Sequence, residues 1–118
     1  QIRSLKDDGF EIGSHTHRHR PLTDLSDEDA KEELARSFQT LERELNEPPS
    51  VFAYPRGFYE PKHQLMAREA GYVGACGVIL RWRDLLGTNA WNLKRMTIKG
   101  TEDMQRFKWR LRAAHWVR

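Results

Sequence analysis

Three of the chain's five histidines fall within one short stretch, Gly13-Ser14-His15-Thr16-His17-Arg18-His19. Neutral imidazole is the commonest protein ligand for divalent transition metals, so metal binding is the first chemistry to weigh. His15 and His19 are four residues apart, a spacing that puts two side chains on one face of a helical turn. His17 lies between them and cannot share a metal with both neighbours in helical or extended geometry without a distorted backbone. It is the expected bystander. The competing reading is a polar, basic turn whose histidines are merely exposed. Context favours the metal. Phe10-Glu11-Ile12 alternates apolar and polar like a strand, and Gly13-Ser14 breaks the alternation. The histidines therefore follow a strand's carboxyl end, where open α/β and barrel folds place their chemistry. Thr16 can hydrogen-bond locally and help hold the turn.

The elements that would position this turn can be read on either side of it. Ile2 and Leu5 suit one face of a short helix, and Gly9 suits its C-terminal cap. Downstream, Ser26 reads as an N-cap with Asp27, Glu28 and Asp29 over the first turn, where the helix dipole favours acidic side chains. Ala30, Leu34, Phe38, Leu41 and Leu45 continue at helical spacing, and Asn46 with Pro48-Pro49 ends the helix. Its acidic outer face reads as solvated. Residues 50–54 form a strand candidate stopped by Pro55-Arg56-Gly57. Pro61 opens another helix, with Leu65, Met66 and Ala70 as its apolar side and Gly71 closing it. Residues 72–80 are nearly all apolar or small, as in a strand buried on both faces. Residues 81–92 read as loop and 93–99 as a further strand. The alternation of strands and helices implies a parallel sheet and an α/β fold.

The last segment reads as a helix capped at Thr101, with Met104, Phe107, Leu111 and Ala114 as its apolar stripe. Arg106 and Arg110 flank one side of the stripe, and Lys108 and Arg112 the other. Their stems can cover its edges while the charges reach water. Trp109 and Trp116 share the opposite face and need a neighbour, for which the absent remainder of the fold is the expected candidate.

At 118 residues the chain is at most one ordinary domain, far short of the roughly 250 residues typical of a complete (β/α) barrel. It opens on Gln1 with no initiator Met and runs straight into a helix end, so sequence upstream is expected to be missing. The single cysteine, Cys76, excludes an internal disulfide and a thiolate zinc cluster. No apolar run approaches the length of a membrane span. The net charge of +3 conceals an asymmetry: residues 1–60 carry 8 basic and 13 acidic side chains, residues 61–118 carry 12 and 4. A basic half invites a nucleic-acid or anionic-surface reading. The flanking role of the helix cations weighs against it.

Three blocks of residues, in order, carry a resemblance. The first is residues 11–19, the second Phe52-Ala53-Tyr54-Pro55-Arg56-Gly57, and the third Ala70-Gly71-Tyr72. Together they resemble the NodB-type polysaccharide deacetylases, also called carbohydrate esterase family four. The first block matches that family's His-Ser/Thr-x-x-His motif. The second matches its Phe-x-x-Pro-Tyr-Gly type of motif except at Arg56. Asn92-Leu93-Lys94-Arg95-Met96 resembles a late segment of some members, so the likeness spans about residues 3 to 99.

The resemblance implies an α/β fold that is part of a distorted, incomplete (β/α) barrel with parallel strands. Residues 1–118 would form a single partial domain lacking the early strand that carries an Asp-Asp motif. It implies metal-assisted hydrolysis of an acetyl group from an acetylated sugar, typically N-acetylglucosamine in a polysaccharide or oligosaccharide. His15 and His19 would be two ligands of a divalent metal, commonly Zn2+. The third ligand and the general base would be the two missing aspartates. The backbone N–H of Arg56 would donate to the oxyanion, and Tyr54 and Pro55 would lie at the substrate groove, although a strand aromatic such as Tyr54 is equally expected in the core. The resemblance also favours the cell envelope or an extracellular location.

Asp7-Asp8-Gly9 is not the missing pair, because it lies only seven residues before His15 and follows no hydrophobic strand. Ala53 replaces the Arg that orients the catalytic Asp in many members. No Leu-x-His strand is visible near the C-terminus. His115 is expected on a helix surface and His63 in a structural role. A second enzyme reading takes His15 and His17 as the His-x-His pair of an amidohydrolase barrel. It lacks the further ligands such a site needs on later strands.

Overall fold

The structure, a computed structural model, describes residues 1–78 and 89–115. The N-terminal helix α1 (Ile2–Asp7) ends as its sequence suggests. Asp8 is the C-cap, and Gly9 follows in the left-handed region at φ 89°. Gly9 N–H donates to Lys6 C=O at 2.8 Å and Phe10 N–H to Leu5 C=O at 3.0 Å, the paired bonds of a Schellman motif.

The chain then runs through residues 10–13 without forming a strand. This corrects the expectation from the Phe10-Glu11-Ile12 alternation. Phe10 is 61% exposed, so the alternation buries nothing there. Only Ser14 pairs with the sheet, as a single parallel bridge to Phe52.

A short 3-10 turn (Leu22–Asp24) leads into α2 (Asp27–Leu45). Ser26 caps α2, its Oγ accepting from Asp29 N–H at 3.1 Å, and Asn46 ends it at φ 57°. The stripe Ala30, Leu34 and Leu45 is buried, and Phe38 and Leu41 are partly so. The acidic outer face is exposed as expected, whereas Glu33 lies on the inner face and is buried.

Next come β1 (Val51–Ala53), a turn at Pro55–Gly57, α3 (Pro61–Glu69) and β2 (Gly74–Val78). They are followed by β3 (Leu93–Arg95) and α4 (Met104–His115). The three strands form one parallel sheet in the order β1-β2-β3. Val51 faces Gly74, and Cys76 faces Leu93. The expected strand over 93–99 is confined to its first three residues. Positions 79 and 80 of the expected strand, and 81–88 of the expected loop, lie outside the described residues.

Side chains alternate across the sheet. Phe52 and Ala75 point to the side covered by α2 and α3, where they pack with Leu22, Ala30, Leu34, Tyr54, Met66, Ala67 and Tyr72. Val51, Ala53, Cys76 and Val78 point the other way and are only partly buried. Helix α3 presents Met66, Ala67 and His63 to the core, whereas Leu65 is 62% exposed, correcting its expected place on the apolar side.

Helix α4 begins at Met104, not at Thr101. Asp103 is the residue that caps it, accepting from Arg106 N–H at 2.7 Å. Its expected stripe is mostly open: Met104 is 63% and Leu111 53% exposed, and Phe107 is half-buried. Arg110 forms a two-point ion pair with Glu102, at 2.8 and 2.9 Å, so one of the four helix cations is neutralised. Trp116 and the side chains of Ala114 and His115 lie outside the described residues.

The covered face of the sheet and the outer face of α3 give a direct check. Phe52→Ala should lower the unfolding free energy in urea by about 3–5 kcal/mol, because it empties the centre of the covered face. Leu65→Ala should change it by less than about 0.5 kcal/mol.

Candidate functional site

The histidine turn is built outward from Ser14. Ser14 N–H donates to Val51 C=O at 2.9 Å, and Ala53 N–H donates to Ser14 C=O at 2.8 Å. This close approach requires a small residue beforehand. A Cβ on Gly13 would stand 3.0 Å from Val51 Cγ2 and 3.2 Å from its carbonyl oxygen. The Ser14 side chain is buried and donates to Ser37 Oγ of α2 at 2.9 Å. Ser37 in turn donates to Leu34 C=O at 3.0 Å, and the Tyr72 hydroxyl lies 2.9 Å from Ser37 Oγ. Burial pushes the Tyr72 phenol above its ordinary pKa, so it stays protonated and available as a donor.

Immediately after this anchor, His15 Nδ1 lies 2.6 Å from Ala53 C=O. A carbonyl can only accept, so Nδ1 carries the proton, and in the neutral ring Nε2 holds the free lone pair. A hydrogen bond of this kind orients metal-binding imidazoles. The chain then turns sharply, with Thr16 at φ 66° and His19 at φ 59°, both in the left-handed region. That turn brings the His19 ring to 4.8 Å, centroid to centroid, from the His15 ring at an interplanar angle of 51°.

Both rings are exposed. His17 lines a cleft of about 220 Å3 between the loop and α2, together with His15, Thr40 and Leu41. Thr16 does not make the local hydrogen bond expected of it. Its Oγ1 is buried without a hydrogen-bond partner among the described residues, and its contribution to the turn is its backbone conformation.

On the open side of the sheet, His15 borders a second cleft of about 310 Å3, lined by Val51, Ala53, Cys76 and Arg95 among others. The small side chains at 53 and 76 leave this space. Arg95 Nε donates to Gly77 C=O at 3.3 Å, which ties its stem to β2.

The turn after β1 places Arg56 at φ 57° and ψ 3° with its side chain exposed. Gly57 and Phe58 donate their N–H groups to the Tyr54 and Pro55 carbonyls; the Arg56 N–H enters neither bond. Gly57 is dictated twice over, by φ 76° and by Val78, whose Cβ would be 2.7 Å from an added Cβ.

Tyr54 and Pro55 are buried, for Tyr54 the core position that its place beside the strand equally allows. Tyr54 stacks on Tyr59 at 4.6 Å and its hydroxyl donates to Trp91 C=O at 3.1 Å. Its parity with Phe52 along the chain points it to the covered side, and burial drives its pKa upward.

His63 has the structural role expected of it. It occupies the third position of α3, and its Nδ1 accepts from Glu60 N–H at 2.9 Å in a capping box. Asp7 and Asp8 are exposed in the helix-to-loop turn. Among the described residues, no group of three or more His, Cys, Asp or Glu is placed to hold a metal. His15 and His19 fit as two imidazole ligands with a free Nε2 at His15, and a third protein ligand is not among the described residues.

A sequence model of the family described as polysaccharide deacetylase matches residues 1–75, more than half of the chain. The chain belongs to the polysaccharide deacetylase family. The matched span contains the histidine turn, α2, β1, the Arg56 turn and α3. No curated protein sequence matches the chain.

Solved structures share the fold. A Streptococcus pyogenes deacetylase in complex with acetate superposes with a TM-score of 0.73 at 20% identity, covering 92% of this chain and 47% of that one. A polysaccharide deacetylase from Bacillus cereus gives 0.72 at 23% identity, covering 92% and 34%. A de-N-acetylase from Aggregatibacter actinomycetemcomitans gives 0.71 at 16% identity, covering 91% and 50%. The chain thus spans between a third and a half of the length of these proteins. Its three-stranded parallel sheet with flanking helices matches part of the deacetylase (β/α) barrel.

The site yields two checks. In the metal-free chain, 15N NMR should find neutral His15 with its proton on Nδ1; a proton on Nε2 would contradict the Ala53 bond. The second concerns His63, whose pKa burial holds below the ordinary value. The unfolded chain then takes up a proton, near pH 6.5, that the folded chain refuses. The stabilising contribution is complete above that pH and is lost as pH falls towards the folded pKa. In urea unfolding, His63→Gln should flatten the acid-side slope relative to wild type.

Proposed function

We propose that this chain is part of a metal-dependent hydrolase that removes acetyl groups from acetylated sugars of a polysaccharide, with N-acetylglucosamine-type amides as substrate. The observation that carries the reading is the pairing of the His15 and His19 rings at 4.8 Å, beyond a backbone bridge that fixes which nitrogen of His15 is free. His15 and His19 would hold a divalent cation, for which zinc is the natural choice given imidazole ligands. When bound, that cation supplies Lewis-acid polarisation of an acetyl carbonyl and lowers the pKa of water.

The chain's own residues do the positioning. Ala53 C=O keeps the His15 proton on Nδ1. The turn at Pro55–Gly57 leaves the Arg56 N–H outside its two hydrogen bonds, free to donate to an oxygen on which negative charge develops. Because that donor is backbone, an Arg at this position is compatible with the role. The exposed guanidinium is available to an anionic group on the polymer.

The carboxylates that complete such a site, one as ligand and one as base, are assigned to chain outside residues 1–118, which form a partial domain on this reading. Asp7 and Asp8 do not serve, since they are the last residue and the C-cap of α1 and both are exposed there. A polymeric substrate of this class would favour the cell envelope or an extracellular location for the complete protein.

The reading is tested on the protein with its upstream segment restored. Acetate release from a chitin oligosaccharide should stop on chelation and return with Zn2+. His15→Ala and His19→Ala should each reduce it on the order of 100-fold, and His17→Ala by less than about threefold. Activity that survives His19→Ala would overturn the ligand assignment.

A further inference from the structure

Glu33 stands out among the groups that the proposed chemistry does not use. It lies in the first half of α2, between Ala30 and Leu34 of the buried stripe, and is itself only 5% exposed. A carboxylate in that position is costly unless its oxygens are satisfied. Its Oε2 accepts from the backbone N–H of Arg18 at 2.7 Å, and its Oε1 lies 3.8 Å from Arg18 Nε.

Arg18 is the residue immediately before His19. The segment from Thr16 to His19 is held at its two ends by left-handed residues, neither of them glycine. Such a backbone persists only where surrounding contacts over-determine it. Upstream, the loop is fixed by Ser14 on β1 and α2. Downstream of His15, the carboxylate of Glu33 supplies the hydrogen bond that fixes the His17–Arg18 peptide, one residue ahead of His19.

We infer that Glu33 is a positioning residue for the histidine pair: by accepting from the Arg18 N–H it holds the turn in the conformation that brings His19 to His15. The inference rests on the proposed role of the two histidines as ligands, but the hydrogen bond itself can be tested separately. The role is geometric, and it separates from a merely electrostatic one by chemistry. Gln keeps an acceptor oxygen at the same reach without the charge. Asp keeps the charge but is one methylene shorter and cannot reach.

The experiment uses the chain with Glu33→Gln, Glu33→Asp and Glu33→Leu, after unfolding curves identify the variants that remain folded. Two quantities are read: hydrogen exchange of the Arg18 amide without metal, and Ni2+ affinity by calorimetry, with His15→Ala as the control. Asp should speed Arg18 exchange by about tenfold or more and weaken Ni2+ binding by about 10- to 100-fold, the range for loss of a supporting hydrogen bond. Gln should stay within about threefold of wild type in both, and Leu should behave as Asp. The reverse order, with Asp like wild type and Gln impaired, or exchange unchanged in all three, would overturn the inference. If wild-type chain bound Ni2+ no better than His15→Ala, the ligand reading would fail. The exchange data would still decide whether Glu33 holds the turn.

Discussion

The histidine turn of this chain depends on a single point of sheet pairing. Ser14 is the one residue before β1 that joins the sheet among those described, through two backbone hydrogen bonds to Val51 and Ala53. Two short bonds would fray if nothing else held the segment. Ser14 is therefore tied on its other side, through its hydroxyl, into the Ser37 and Tyr72 network beneath it. Each member of that network is buried and has a partner, so it rigidifies without leaving polar groups unpaired. It links the loop to α2 and to the entry of β2. Because the next residue, His15, also bonds Ala53, three consecutive features of the loop are referenced to the same three-residue strand.

The sheet's asymmetry follows from side-chain size. On the covered face, Phe52, Tyr54 and Tyr72 make edge-on and tilted ring contacts at 5.1 and 5.4 Å, and helices α2 and α3 close over them. The opposite face carries Val51 and Val78, but beside them only Gly74, Ala53 and Cys76, which fill little space. Gly74 admits no larger residue, since a Cβ there would sit 2.8 Å from Ala90 C=O. The consequence is a shallow cleft beside His15 with Arg95 at its far side. Large aromatic residues thus support the strand ends from behind while small ones keep the front open. The same division places Tyr54 in the core even though it adjoins the Arg56 turn in sequence.

Much of this was legible from local chemistry. Ser26 and Asn46 bound α2 because their capping preferences are strong and act over a few residues. The parallel order of β1 and β2 follows from a helix between two apolar runs. What failed was inference from alternation alone. Phe10-Glu11-Ile12 has a strand's pattern, but β1's edge accepts only the Ser14 bridge, and Gly9 and the α1 cap dictate the approach. Leu65 was misread for a related reason: α3 is short, and its capping box turns His63, Met66 and Ala67 inward, which rotates Leu65 to solvent. Thr101 lost the α4 cap to Asp103, whose carboxylate is the better placed acceptor. The role of Glu33 was missed although a signal existed. Positions 30, 33, 34, 37 and 41 fall at helical spacing on one face, so Glu33 and Ser37 are polar residues inside an apolar stripe. A buried polar group at such a position implies a partner outside its own helix.

That last point explains how a loop with unfavourable backbone angles can be part of a stable fold. Left-handed conformations at non-glycine residues cost on the order of 1–3 kcal/mol each, and Thr16, with a branched Cβ, is a poor residue for one. The loop makes few apolar contacts that could offset this, since residues 15 and 17–20 are all exposed. The offset comes instead from polar bonds to elements whose own burial is secure: Ser14 to Ser37, His15 to Ala53, and Arg18 to Glu33. The Arg18 bond in particular satisfies a Glu33 oxygen that α2 would otherwise bury without a hydrogen bond. Neither side is therefore complete alone, and the helix needs the loop for polar satisfaction as much as the loop needs the helix for shape. The arrangement lets two imidazoles stand exposed and close together without an apolar core of their own.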